Sequence, residues 1–166
     1  RHGAVSSNRV CFGVGKRLMS EMTVPQADAD ALLTLEKHRV DDTLHRFPFL
    51  NNAVAIPLIS ADRREEFQLD IQRGRINLAK VTYQNRTRSI LILARLDLAG
   101  PPHRNPDGED IPCPHLHVYR EGFGDKWAYP APPTVFTDLD DLWVALDDFM
   151  RYCNITKAPN ILRVLT

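Results

Sequence analysis

The residues best suited to chemistry in this chain lie close together. From Pro101 to Glu121 the sequence reads PPHRNPDGEDIPCPHLHVYRE. His115 and His117 are one residue apart. On a strand both imidazoles therefore project from one face, with Cα atoms about 6.6–6.8 Å apart. Imidazoles titrate near neutral pH and need only small environmental shifts to work as an acid/base pair. His103 lies on the segment leading in, where prolines limit the chain's freedom and lower the entropic cost of holding it over the same face. Two other readings apply to the same residues. Cys113, His115 and His117, with His103, are zinc-ligand types, although C-x-H-x-H matches no common structural zinc spacing. Histidines on a strand also serve simply as hydrogen-bonded side chains.

Basic residues upstream supply what phosphate chemistry would need. From Arg73 to Arg104 there are Arg73, Arg75, Lys80, Arg86, Arg88, Arg95 and Arg104 against one acid, Asp97. Arg73 and Arg75 flank one expected turn, and Arg86 and Arg88 another. Arg95 and Asp97 share a strand face. Pointing inward they would brace each other; on the histidine face Arg95 could grip a phosphate with two parallel hydrogen bonds. Tyr83 and Tyr119 offer stacking and hydrogen-bonding surfaces of the kind used with unpaired bases. The candidate catalytic set is thus His115, His117, His103 and Arg95. The candidate substrate-binding set is Arg73, Arg75, Arg86, Arg88, Tyr83 and Tyr119. A solvated sheet face with ordinary charges explains each basic residue taken singly.

Composition sets the frame. The chain has 166 residues and zero formal net charge, so its global balance points to neither nucleic acid nor membrane. Cys11, Cys113 and Cys153 are odd in number and widely spaced, which argues against a disulfide framework and for a reducing, cytoplasmic setting. No apolar run has the length of a membrane span. Residues 1–22 lack a signal-peptide layout and read as a tag, a read-through or a flexible arm, with Met19 and Met22 as plausible starts. Residues 23–166 read as one domain.

The elements that must position the site follow from periodicity. Thr23 and Gln26 have capping-box spacing, and a helix is expected from about Val24 to His38. Period-two patterns predict strands at Val54–Ile59, Glu66–Gln72, Asn77–Gln84, Ser89–Leu98 and His115–Tyr119, with a short one at Lys126–Tyr129. Ala61-Asp62, Arg73-Gly74 and Asn85-Arg86 are the turn signals. The long proline-rich loop before His115 has a length more typical of functional loops. After Thr137, Leu139, Leu142, Trp143, Leu146, Phe149, Met150 and Cys153 form a helical stripe. The expected architecture is α+β: an antiparallel sheet of five or six strands with two helices packed on one face.

The run INLAKVTYQNR, followed by RLDLAGPPHRNPDGEDIPCPHLHVYREGFGDKWA, resembles the core of an uncharacterised family of small bacterial and mobile-element proteins, from about Thr23 onward. A looser likeness, carried by Arg95, Asp97, Pro102, His103, Pro114, His115 and His117, is to TumE-type toxins of toxin–antitoxin pairs. That likeness implies a small α+β protein acting on RNA. The longer loop and the large C-terminal helix depart from its pattern.

The leading expectation is a metal-independent ribonuclease of toxin or defence type. His115 and His117 would share the acid and base roles, with Arg95 at the scissile phosphate, and with RNA and a cognate antitoxin as partners. The alternative is a non-catalytic mobile-element inhibitor or regulator. It would grip a protein or RNA through the basic segment and Tyr119, Phe123, Trp127 and Tyr129. Zinc remains the cofactor alternative.

Overall fold

A computed structural model describes residues 23–164, so the arm expected over residues 1–22 lies outside the described residues. Chain order runs α1 (Gln26–Thr34), β1 (Lys37–Arg39), β2 (Leu44–Arg46), β3 (Ala53–Ser60), β4 (Glu66–Arg73), β5 (Val81–Thr87) and β6 (Leu91–Asp97). It continues through β7 (His103–Arg104), β8 (Asp110–Ile111), β9 (His115–Val118), β10 (Ala128–Pro130), α2 (Leu142–Tyr152), β11 (Ile155–Lys157) and β12 (Asn160–Leu162).

The fold is α+β. Its sheet is larger than expected, with eight strands in the order β10-β9-β6-β5-β4-β3-β1-β11, and it is mixed because β1 pairs with β11 in parallel. Two small ribbons, β12–β2 and β7–β8, complete it. The central strands arise where the period-two pattern is strongest: Phe67, Leu69, Ile71, Val81, Tyr83 and Leu96 all face one side and are buried. Both helices join that apolar layer. Ala29 and Leu32 of α1 and Ala145, Leu146 and Phe149 of α2 belong to the same core cluster. Tyr83 packs near Phe149 and donates its hydroxyl hydrogen to Leu142 O at 2.7 Å.

Several local expectations give way to longer-range contacts. The first helix stops at Thr34 rather than His38, and Lys37 opens a strand instead. Lys37 is fully buried and its ammonium donates to Leu33 O, Leu35 O and Cys153 O at 2.8–2.9 Å. It thus satisfies carbonyls freed where α1 ends and where α2 closes. At the N-terminus of α1 no side-chain cap forms at Pro25. The Gln26 N–H donates to Glu121 Oε2, and Glu121 N–H donates back to Gln26 Oε1. α2 starts at Leu142 with Asp141 accepting from Trp143 N and Val144 N. Thr137 donates its N–H and hydroxyl to buried Asp148. The turn expected at Asn85-Arg86 falls at Arg88 and Ser89, whose φ values of 50° and 64° reverse the chain there. The third strand begins at Val81, because residues 77–80 form a turn closed by Lys80 N–H to Asn77 O. Among the described residues, no helix is long and apolar enough to cross a membrane.

Candidate functional site

The sheet face opposite the core carries the site. Directly opposed residues on neighbouring strands share a face. One such row runs His117, Arg95, Gln84, Asp70, Ala55, and the next runs His115, Asp97, Thr82, Gln72, Ala53. The register therefore sets each histidine beside one member of the Arg95–Asp97 pair. The ring centroids of His115 and His117 are 5.0 Å apart.

His103 arrives from above. The β7–β8 ribbon turns through Asn105–Gly108, where Gly108 adopts φ 92°, and Asn105 N–H donates to Glu109 O. The side chain of buried Asn105 accepts from Ala128 N–H at 2.8 Å and donates to Ala128 O at 2.9 Å. This clamps the ribbon to β10. The His103 ring then lies 4.5 Å from that of His117 and 5.9 Å from that of His115, with Nε2 donating to Lys126 O.

The turn after β9 supplies a residue missed in the sequence. Gly122 and Gly124 take φ values of 80° and 61°, which tighten residues 120–124 and bring Asp125 back to the open face beside Arg95. Its carboxylate accepts from Arg95 Nη1 at 2.5 Å, and its carbonyl accepts from His117 Nδ1 at 2.8 Å. Arg95 further donates Nε–H to Asp97 Oδ2 at 3.1 Å and lies 2.9 Å through Nη2 from His117 Nε2. The Nδ1 bond to a carbonyl, which can only accept, puts the ring hydrogen on Nδ1. Guanidinium has no acceptor either, so His117 Nε2 is a lone pair receiving Arg95. A 3.3 Å approach of the same Nε2 to Asp97 Oδ2 would need the opposite protonation. The shorter contact decides the matter.

Asp97 is the hub. Thr82 Oγ1 donates to its Oδ1 at 2.6 Å, and His115 Nε2 stands 3.5 Å from its Oδ2. Burial pushes the Asp97 carboxyl upward, but the hydrogen bond from Thr82 and the Arg95 charge outweigh that and hold it well below the usual carboxylate range. Burial, reinforced by neighbouring His117, moves His115 below the ordinary imidazole value. A cleft of about 410 Å³ opens over Asp97, Arg95, His103 and His115, with Lys80, Thr82 and Gln84 along its rim. Asp97, His115 and His117 offer ligand atoms that all lie within 4.8 Å of one another.

The four candidate catalytic residues thus meet in one place, with different access to the cleft. His117 is fully buried and does not line the cleft. Arg95 is enclosed by Asp97 and Asp125, so its charge is already matched. The substrate-binding set disperses. Tyr83 is buried on the helix side, because it alternates with Gln84. Tyr119 is buried just past the end of β9, where its hydroxyl accepts from Val24 N–H and donates to Val24 O. Arg73 is 4% exposed, over the Phe47 ring, and donates weakly to Pro48 O and Leu78 O. Arg86 is half-buried and paired with Asp70 at 2.6 Å, four residues along β5 from Thr82, about 13 Å at the usual rise. Arg75 and Arg88 are exposed, and neither lines the cleft. Cys113 is not part of the ligand group; its thiol lies 3.3 Å from Asp97 O, and burial raises its pKa. Lys80 is the exposed cation at the cleft, one of seven in the basic segment and not distinguishable from the others by spacing.

These features define an α+β protein with a helix-backed mixed sheet and a His–Asp–Arg cluster on the open face, beneath a clamped ribbon. The chain belongs to the family of unknown function DUF6978, whose model matches residues 24–155. No curated protein and no solved structure matches it, and the likeness to TumE-type toxins is not shown.

Proposed function

We propose that the cleft cleaves RNA phosphodiesters by attack of the ribose 2′-hydroxyl on phosphorus. The observation that carries this reading is the meeting of His103, from a separate ribbon, with the Asp97–His115–His117 cluster at the mouth of one cleft rimmed by Lys80. The lone pairs of the cluster accept the proton of the 2′-hydroxyl. The 2′-oxygen bonds to phosphorus, the bond to the 5′-oxygen breaks, and His103 delivers a proton to that oxygen. Lys80 steadies the charge building on the phosphoryl oxygens. Arg95 acts on the protein itself: it positions His117 and Asp97 and leaves the phosphate to Lys80.

The test is purified chain on a labelled single-stranded RNA and on the same oligonucleotide with one 2′-deoxy residue at the cut site. Cleavage of the first to a 2′,3′-cyclic phosphate, with the second intact, supports the reading. Equal cleavage of both, or of neither, rejects it. A non-catalytic binding role is the second reading, favoured by the half-exposed cluster in which Arg120 stacks 3.8 Å over Trp127 beside Phe123. In that case Arg120→Glu removes partner capture and His103→Ala does not.

A further inference from the structure

We propose that Asp97, His115 and His117 form a binding site for a divalent transition-metal ion of the Zn²⁺ type. His117 Nδ1 is held by Asp125 O at 2.8 Å and His115 Nδ1 by Pro112 O at 3.3 Å. A carbonyl only accepts, so each ring carries its hydrogen on Nδ1 and turns an Nε2 lone pair inward. Both lone pairs face the same carboxylate oxygen, Asp97 Oδ2, at 3.3 and 3.5 Å. Electron-pair donors set against one another in a buried place repel unless a cation lies among them.

The spacing matches one. Tetrahedral ligands bound at 2.0–2.1 Å to one ion sit about 3.4 Å apart. Imidazoles whose far nitrogen donates to a backbone carbonyl are the form in which proteins orient metal-binding histidines. Asp97 is steadied in the same way, by Thr82 at its other oxygen. Arg95 is the competing cation, through its Nη2 contact with His117. Its single charge is nevertheless exceeded by the two carboxylates it touches, Asp97 and Asp125, which leaves these three side chains one negative charge in excess. On entry of the ion Arg95 keeps Asp125 and releases His117. The third ligand is an aspartate on the neighbouring strand, in place of the Cys113 that residue types alone suggest.

This inference concerns the same site as the RNA reading and supplies its base. Water on such an ion loses a proton near neutral pH. The resulting hydroxide takes the 2′-hydroxyl proton and becomes water again. With the ion bound, that hydroxide takes the place of the cluster's own lone pairs as the base.

The test is the full chain, stripped with chelator and dialysed, titrated with Zn²⁺ by calorimetry and with Co²⁺ by visible absorption. One equivalent is expected, with tetrahedral cobalt bands and no thiolate charge-transfer band. Asp97→Asn and His115→Gln should each weaken Zn²⁺ binding at least tenfold, while Cys113→Ser binds as the parent does. Circular dichroism identifies any variant that fails to fold, and either Asp97→Asn or His115→Gln suffices alone. Absence of saturable binding, or full binding by a folded Asp97→Asn or His115→Gln, overturns the site. RNA cleavage by the stripped chain without binding rejects the metal alone, and binding without cleavage rejects the RNA reading alone.

Discussion

Lys37 offers a quantitative test of how the two helix ends are joined. Its ammonium has no carboxylate partner among its hydrogen bonds and rests on three carbonyls and, 4.6 Å away, the Phe67 ring. Burial lowers its pKa from 10.5 to about 8. The unfolded chain therefore holds this proton to higher pH than the folded one. Stability must rise with pH between about 8 and 10.5, because there the unfolded state binds more protons. At about 1.36 kcal/mol per pKa unit, the full rise is about 3 kcal/mol. Lys37→Met keeps most of the volume and removes the titration, although it leaves the carbonyls of Leu33, Leu35 and Cys153 without that donor. Urea unfolding of both proteins at pH 7, 8, 9 and 10 isolates the effect, since groups away from Lys37 cancel in the difference and the coupled Cys153 thiol, pushed up to about 12 by burial, titrates above this range. The wild-type minus variant stability should climb by most of 3 kcal/mol across that range. A difference flat to within about 0.5 kcal/mol would refute the reasoning.

Three further outcomes follow from the site. His117→Ala leaves Arg95 Nη2 and Asp125 O without their partner in a fully buried position and should cost about 2–4 kcal/mol in chemical denaturation, so lost activity in it reports structure as much as chemistry. Asn105→Ala removes both bonds that clamp the ribbon and should cost about 1–3 kcal/mol. Its effect on RNA cleavage should exceed that of an exposed ribbon change such as Glu109→Ala. Lys80→Gln, on the exposed rim, should leave unfolding within about 0.5 kcal/mol of wild type and lower kcat/KM about tenfold or more.

The parts legible in the sequence are those written in local periodicity. The four central strands fall within a few residues of their expected ends because Phe67-x-Leu69-x-Ile71 and its neighbours bury one face only. The stripe of α2 is clear for the same reason. Same-face placement of His115 with His117, and of Arg95 with Asp97, follows from two-residue spacing alone. Pairing across strands is a different matter. Nothing local says whether Tyr83 or Gln84 shares the face of Arg95, so residue type alone places the aromatic on the ligand side, whereas it belongs to the core. β1 and β11 are three residues each and acquire their form from each other and from the buried Lys37. Asp125 joins the cluster through a glycine turn 30 residues from Arg95, and its backbone carbonyl does as much as its carboxylate. The basic segment misleads because its arginines have distinct fates: Arg73 enters the core, Arg86 pairs with Asp70, and Arg95 is enclosed. The acids at and within α2 also differ in fate: Asp141 caps the helix, Asp148 is a buried acceptor and Asp147 pairs with Arg163.

The central claim is that the histidine cleft cleaves RNA, and His103 tests it most directly, because it is half-exposed and its one described hydrogen bond is to Lys126 O. Single-turnover cleavage of one labelled RNA by wild type and by His103→Ala, with thermal unfolding of both, is the measurement. The prediction is a rate at least about 100-fold lower at an unchanged melting temperature, the usual scale of a lost general acid. Equal rates in two equally folded proteins would contradict it.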